Sequence, residues 1–219
     1  MHTAKSPGLD ETNEDALVAY LGVNVFGGGG TQSFYKRMWG AALAYSDYVY
    51  ASPSQERMEL YADRCADLPQ LLRFADAEVR RMPGDPKFVD YAVVPAFGSR
   101  VSETFEDRAR GIAVDLAEKR TPDRQRAFRS RVLALRSKPG LADAMHAAFV
   151  PAMSAVVPSL AGTNALPKEA VYFTTGPEAA IAAYEKEIAR TRGEGTKVLR
   201  LWARDFWDVA GEPRPRAPK

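Results

Sequence analysis

The sequence predicts a helix-rich α/β (α+β) fold: a two-layer domain with a small, mostly antiparallel sheet, followed by a C-terminal β-α-β unit. Three observations predict it. Apolar residues recur at helical spacing in successive stripes between residues 67 and 150. A segment rich in tyrosine and valine (residues 43–51) meets a Ser52-Pro53-Ser54 turn signal and a second short strand candidate. Near the C-terminus, strand, helix and strand patterns follow one another over residues 171–202.

Taken in order, residues 1–11 are polar with Pro7 and Gly8, and read as a disordered lead-in, with His2 in a frayed start. Thr12, Asn13, Glu14 and Asp15 offer a cap and an acidic first turn. Residues 16–26 are apolar almost all round, which predicts a helix buried on most sides. The glycines at 27–30 end it, and Thr31 caps a second short helix over 32–39. Residues 43–51 form a strand whose hairpin partner is 59–65.

Asp67 caps the next helix with Pro69 in its first turn, and Leu68, Leu71, Leu72, Ala75, Val79 and Met82 share one face. Asp85-Pro86 opens another, carrying Phe88, Val89, Ala92, Val93, Ala96 and Phe97. Phe105, Ala109, Ile112, Ala113 and Leu116 make a third stripe. Thr121-Pro122-Asp123 caps a fourth with Phe128, Val132 and Leu135, and Pro139-Gly140 precedes a fifth that ends near Phe149. Four prolines and glycines make 151–168 a linker, 169–209 the β-α-β unit packing on the 12–150 domain, and 210–219 a disordered tail.

Composition narrows the chemistry. The 219 residues carry a net charge of +2, which gives no case for nucleic-acid binding by bulk electrostatics. The single cysteine, Cys65, rules out an intrachain disulfide framework or a cysteine-rich metal site. With only His2 and His146, no three-histidine site can form within the chain, and neither lies in a zinc-peptidase motif. His146 falls on an ordinary amphipathic helix and reads as structural or solvated. No apolar run is long enough for a membrane span.

Other motifs compete with plain packing. The glycine run could cradle phosphate, but a helix precedes it and no Gly-Lys-Ser/Thr follows, so it reads as a helix break permitting close packing. Residues 37–42 formally fit a short acyl-coenzyme A signature, with the order of strand and helix reversed. Arginines 124, 126, 129, 131 and 136 point in several directions around a helix, as on a solvated surface. Alternation puts Tyr48 and Tyr50 on one sheet face, away from Tyr45.

The stretch from Tyr20 through the glycine run, Arg37 and Ala42-Leu-Ala-Tyr-Ser46 resembles the pitrilysin/insulinase-type (inverzincin) zinc metallopeptidases, in a non-catalytic C-terminal domain. It covers residues 14–82 and extends more loosely over 83–150, with Ala42 where that family has glycine. The resemblance implies paired homologous α/β domains around a chamber. One half holds zinc and activates water, and the other has lost those ligands and holds the peptide. It implies substrate-binding roles for Arg37 and Tyr45 and for the backbone of Gly28, Gly29 and Gly30. It implies no catalytic residue and no cofactor in this chain, with zinc in a partner domain or subunit, and an extended peptide as ligand. The strands that begin such a domain are not evident, so the chain reads as part of a larger protein or as a subunit completed by a partner. The compartment stays open, periplasmic being one option for a piece of an exported protein. A scaffold that keeps the fold without peptidase activity is the alternative. An acyl-coenzyme A or nucleotide-binding enzyme is a remote third.

Overall fold

The computed structural model describes residues 1–5, 13–27, 30–31, 33–52, 56–98, 104–117, 119–157, 170–192, 199–202 and 205. It is the expected helix-rich α/β architecture: helices on one face of a four-stranded antiparallel sheet. In chain order the elements are β1 (His2–Lys5), α1 (Glu14–Gly22), α2 (Phe34–Gly40), β2 (Ser46–Ser52), β3 (Arg57–Asp63), α3 (Leu68–Arg81), α4 (Val89–Gly98), α5 (Phe105–Ala117), α6 (Pro122–Arg136), α7 (Leu141–Ser154), β4 (Val171–Tyr172) and α8 (Glu178–Arg192). The sheet order is β2-β3-β1-β4.

The opening residues differ most from expectation. Rather than fraying, residues 2–5 form a central strand, with His2 opposite Leu60 on β3 and Tyr172 on β4. The physical reason is alternation: His2 and Ala4 are buried, while Thr3 and Lys5 face outward. His2 Nδ1 lies 2.6 Å from the Val156 carbonyl oxygen and Nε2 lies 2.6 Å from the Tyr184 hydroxyl. Its ring also packs 4.3 Å from that of Tyr172. Residues 6–11 of the lead-in lie outside the described residues.

The buried helix begins as expected, with Asn13 accepting from the Ala16 N–H at 3.1 Å. It continues past Gly22 as a π-helical turn, Val23–Gly27, before the glycine run. Two glycines in this segment meet its neighbours without room for a side chain. A Cβ on Gly22 would lie 2.4 Å from the Met145 carbonyl oxygen, and one on Gly27 would lie 2.6 Å from Val49 Cβ. Close packing is thus what the first glycine of the run provides. Ser33, rather than Thr31, is the N-cap of α2.

The hairpin register pairs Ser46 with Asp63 and Ser52 with Arg57. Ala42 takes a positive φ of 54° just before β2, so the strand starts later than the apolar pattern suggests. The caps Asp67 and Thr121 are formed as read, each accepting from the backbone N–H three residues on. Leu71, Leu72, Ala75, Val79 and Met82 are buried as the α3 stripe requires. The α5 stripe is different, because no residue of that helix is buried.

Helix α7 runs through Pro151 to Ser154, and Val156 and Val157 behind it are fully buried. The start of the supposed linker is therefore core, because the turn after α7 supplies the carbonyl that His2 contacts. Residues 158–168 of that linker and the tail 210–219 lie outside the described residues. Of the C-terminal unit, β4 and α8 are present and packed. Residues 199–202 form no strand. Arg200 instead bonds Glu185 at 2.8 Å and Glu178 at 2.5 Å, which holds this segment along α8. Glu187, buried on α8, takes Arg73 of α3 at 3.0 Å and Arg190 at 2.6 Å. Those bonds from Arg190 and Arg73 hold the Glu187 carboxyl below its usual range. No described helix is long and apolar enough to cross a membrane.

The glycine packing predicts a sharp contrast between neighbouring positions. Gly27→Ala should destabilise the protein by about 1–3 kcal/mol, the usual cost of overpacking a tight core. Gly30→Ala, with nothing within 4 Å of its Cβ, should change stability little. Urea unfolding of both variants measures the difference, and equal midpoints would contradict this packing.

Candidate functional site

Among the described residues, the helices pack against one sheet face. That face buries Val49 and Ala51 of β2, Met58 and Leu60 of β3, and His2 and Ala4 of β1. The other face carries Tyr48, Tyr50, Tyr61, Glu59, Thr3 and Val171, none of them buried. Tyr48 and Tyr61 are cross-strand partners and stack with ring centroids 4.9 Å apart. Tyr50 lies opposite Glu59, whose carboxylate is 2.8 Å from Arg57 Nε. Exposure on this face is concentrated at Tyr48 and Tyr50, on β2 at the edge of the described sheet, whereas the Glu59 side chain is 12% exposed and the Thr3 hydroxyl oxygen is buried.

Tyr45 precedes β2 and is 65% exposed. Its backbone N–H donates to the Asp63 carbonyl at 3.0 Å, and the Arg64 guanidinium covers its ring at 4.5 Å. Arg37 comes from α2 and turns toward α3. Its Nη1 donates to Glu78 Oε2 at 3.0 Å, and Arg81 bonds the other oxygen of the same carboxylate. Glu78 is buried, so this contact supplies a charged partner that an apolar setting demands. Arg37 and Tyr45 thus have separate anchors, on α3 and at the β3 terminus. Gly30 is open to solvent on its Cβ side, while Gly28 and Gly29 lie outside the described residues.

On α2, Trp39 is 56% exposed with Lys36 Nζ 5.7 Å from its ring centroid. At the other end of the chain Trp202 is also exposed, and Phe206 and Trp207 lie outside the described residues. The α6 arginines behave as a solvated surface: Arg136 bonds Asp90 at 2.8 Å, Arg126 pairs with Asp123, and Arg129 covers Phe97. Among the described residues no three His, Cys, Asp or Glu side chains come together as metal ligands. His2 is engaged at both ring nitrogens, and His146 packs edge-on against Phe26 at 5.4 Å. Burial pushes the half-buried Cys65 thiol up, away from nucleophilic reactivity.

Two acidic residues went unnoticed in the linear sequence, although both carry a signal. Glu78 follows Ala75 by three residues and falls on the apolar stripe of α3, where a charge requires a partner. Asp47 alternates with Val49 and Ala51, which puts it on the core face of β2. It is 3% exposed, and neither carboxyl oxygen has a hydrogen-bond partner. Burial pushes its pKa from 3.8 up to about 7.

No family model matches the chain, and no curated protein matches it. Among solved structures, it is similar to a putative zinc protease from Bordetella pertussis Tohama I. Sequence identity is 14% and the TM-score 0.48, with 68% of this chain and 83% of that chain covered.

The buried Asp47 carboxyl gives a pH signature. Its ionisation costs more in the folded chain than in the unfolded one, so its effect on stability is least below about pH 4. Stability should fall as pH rises from about 4 to 7, by at most about 1.4 kcal/mol per pH unit, and level off above. Asp47→Asn cannot ionise and should lack this component. The gap in Tm between variant and wild type should widen across that range. Parallel curves would refute the assignment.

Proposed function

We propose that this chain is the non-catalytic, substrate-chamber half of a two-part zinc peptidase of the pitrilysin/insulinase type. It binds extended peptide while a zinc-bearing homologous domain or subunit carries out hydrolysis. The observation that carries this reading is the pair of exposed tyrosines, Tyr48 and Tyr50, on β2 at the edge of the described sheet. An extended peptide can add to an edge strand through backbone hydrogen bonds, and its side chains can rest on Tyr48 and Tyr50. Tyr45, exposed just before β2, supports this reading because its hydroxyl is a possible donor to a peptide carbonyl. The Glu78 carboxylate orients the Arg37 guanidinium, a group suited to hydrogen-bonding a peptide carbonyl. In this scheme zinc polarises the scissile carbonyl from the partner. The residues of this chain only align the peptide and steady the oxygen on which charge develops.

One observation favours a second reading. The bond from Arg37 to buried Glu78 suits a purely structural arginine, as in a scaffold that keeps the fold without peptide processing.

Mixing the chain with a zinc-bearing, His-x-x-Glu-His-containing half separates the two. The peptidase reading expects peptide hydrolysis only in the mixture. It expects Tyr45→Phe to lower kcat by about 100-fold, as when one oxyanion donor is removed. Arg37→Ala should raise KM. The scaffold reading expects association without turnover. Hydrolysis unaffected by either substitution would remove both residues from the substrate site.

A further inference from the structure

Helix α5 carries an apolar face that no described residue buries. Phe105, Ala109, Ile112 and Leu116 follow a four-three-four spacing, which gathers them in one stripe of about 60° on the helix. On α3 the equivalent stripe is core. On α5, Phe105 is 88%, Ile112 60% and Leu116 74% exposed. Such a continuous apolar helix stripe in water marks an interaction surface.

The charges beside the stripe select its occupant. Arg108 and Asp115 sit on the same flank, seven residues and so about 10 Å apart along the axis. They are equally distant from the point between Gly111 and Ile112, close to the middle of the helix. A second α5 laid antiparallel, with a twofold axis at that point, brings Arg108 of each copy beside Asp115 of the other. The same placement interleaves the apolar side chains of the two helices, with Ile112 of both copies flanking the axis. A parallel arrangement would set Arg108 against Ala113 and lose both charge contacts. Each charged group already has a contact inside the chain. The Arg108 guanidinium lies over the Phe105 ring at 5.6 Å, and Gln125 Nε2 donates to Asp115 at 2.9 Å. Both contacts hold the side chains at the flank of the stripe, where a second copy would meet them.

We infer that α5 is a self-association surface that pairs two copies of this chain through an antiparallel, twofold-symmetric helix contact. The paired stripe is small, which makes this a reversible dimer rather than an obligate one. The inference stands apart from the proposed peptidase role, because it uses neither the sheet face nor Arg37 and Tyr45.

Sedimentation equilibrium of the full chain between about 1 and 200 μM spans the range in which a contact of this size dissociates. A monomer–dimer equilibrium is expected. Leu116→Glu should weaken it by at least about tenfold, because it sets a charge in the paired stripe. Arg108→Glu and Asp115→Arg should each weaken it by about three- to tenfold, and the double variant should recover most of the loss. All three positions are on a helix with no buried residue, and circular dichroism checks that the fold is kept. A monomer at every concentration overturns the inference. So does a dimer indifferent to Leu116→Glu, or a double variant no tighter than the single ones.

Discussion

The approach of one short segment to two neighbours organises the fold. Helix α1 and the π-helical turn behind it lie between α7 and the sheet. At Gly22 the backbone meets the α7 backbone at Met145, and at Gly27 it meets Val49 on β2. Neither approach leaves room for a side chain, so the segment locks helix layer and sheet at a fixed separation. Around it, Leu17, Leu21, Val23 and Phe26 are almost wholly buried, and Phe149 packs 5.3 Å from Phe26. Apolar burial on this scale is the main stabilising term of such a domain. The glycines allow it to happen without voids.

Charged groups inside the protein follow a consistent logic. Glu78 and Glu187 are buried and each carries two arginines, so both carboxylates have counter-charges where burial would otherwise be costly. They tie α2 to α3 and α3 to α8. Asp47 has no such partner, and its response is to hold its proton. The exposed sheet face has no comparable interior, and its side chains are those suited to contact with another molecule: tyrosines, one valine and a paired arginine and glutamate.

Local signals made the helices legible. Asp67 and Thr121 stand at their caps because a short acceptor side chain before an apolar stripe has few other uses. The hairpin could be read from its turn signal and its β-branched and aromatic residues, with the start of β2 displaced to Ser46 after the positive φ at Ala42. The strand His2–Lys5 was not legible. Four residues, three of them polar, are too few to display a periodicity in the sequence, and their pairing partners lie far along the chain. Helical spacing at Phe105, Ile112 and Leu116 showed a helix and its apolar face, but spacing says nothing about what covers that face. At the candidate site the sequence singled out Arg37 and Tyr45, yet their partners Glu78 and Arg64 belong to other elements. Such long-range contacts follow from topology rather than from local pattern.

The placement of β1 has a consequence for the order in which the molecule forms. Its two neighbours are β3, more than fifty residues later, and β4, near residue 171. A ribosome must therefore release nearly the whole domain before the sheet can close. Until then His2 lacks Val156, Tyr184 and its β4 partner Tyr172, although β1 and β3 can already pair. Sheets closed by such distant segments form slowly, because the loop must be drawn together before its contacts repay the lost chain entropy. The hairpin and the capped helices, whose contacts are local, can form early and wait. The pairing of β1 with β4 and the enclosure of His2 therefore wait for the C-terminal part of the domain.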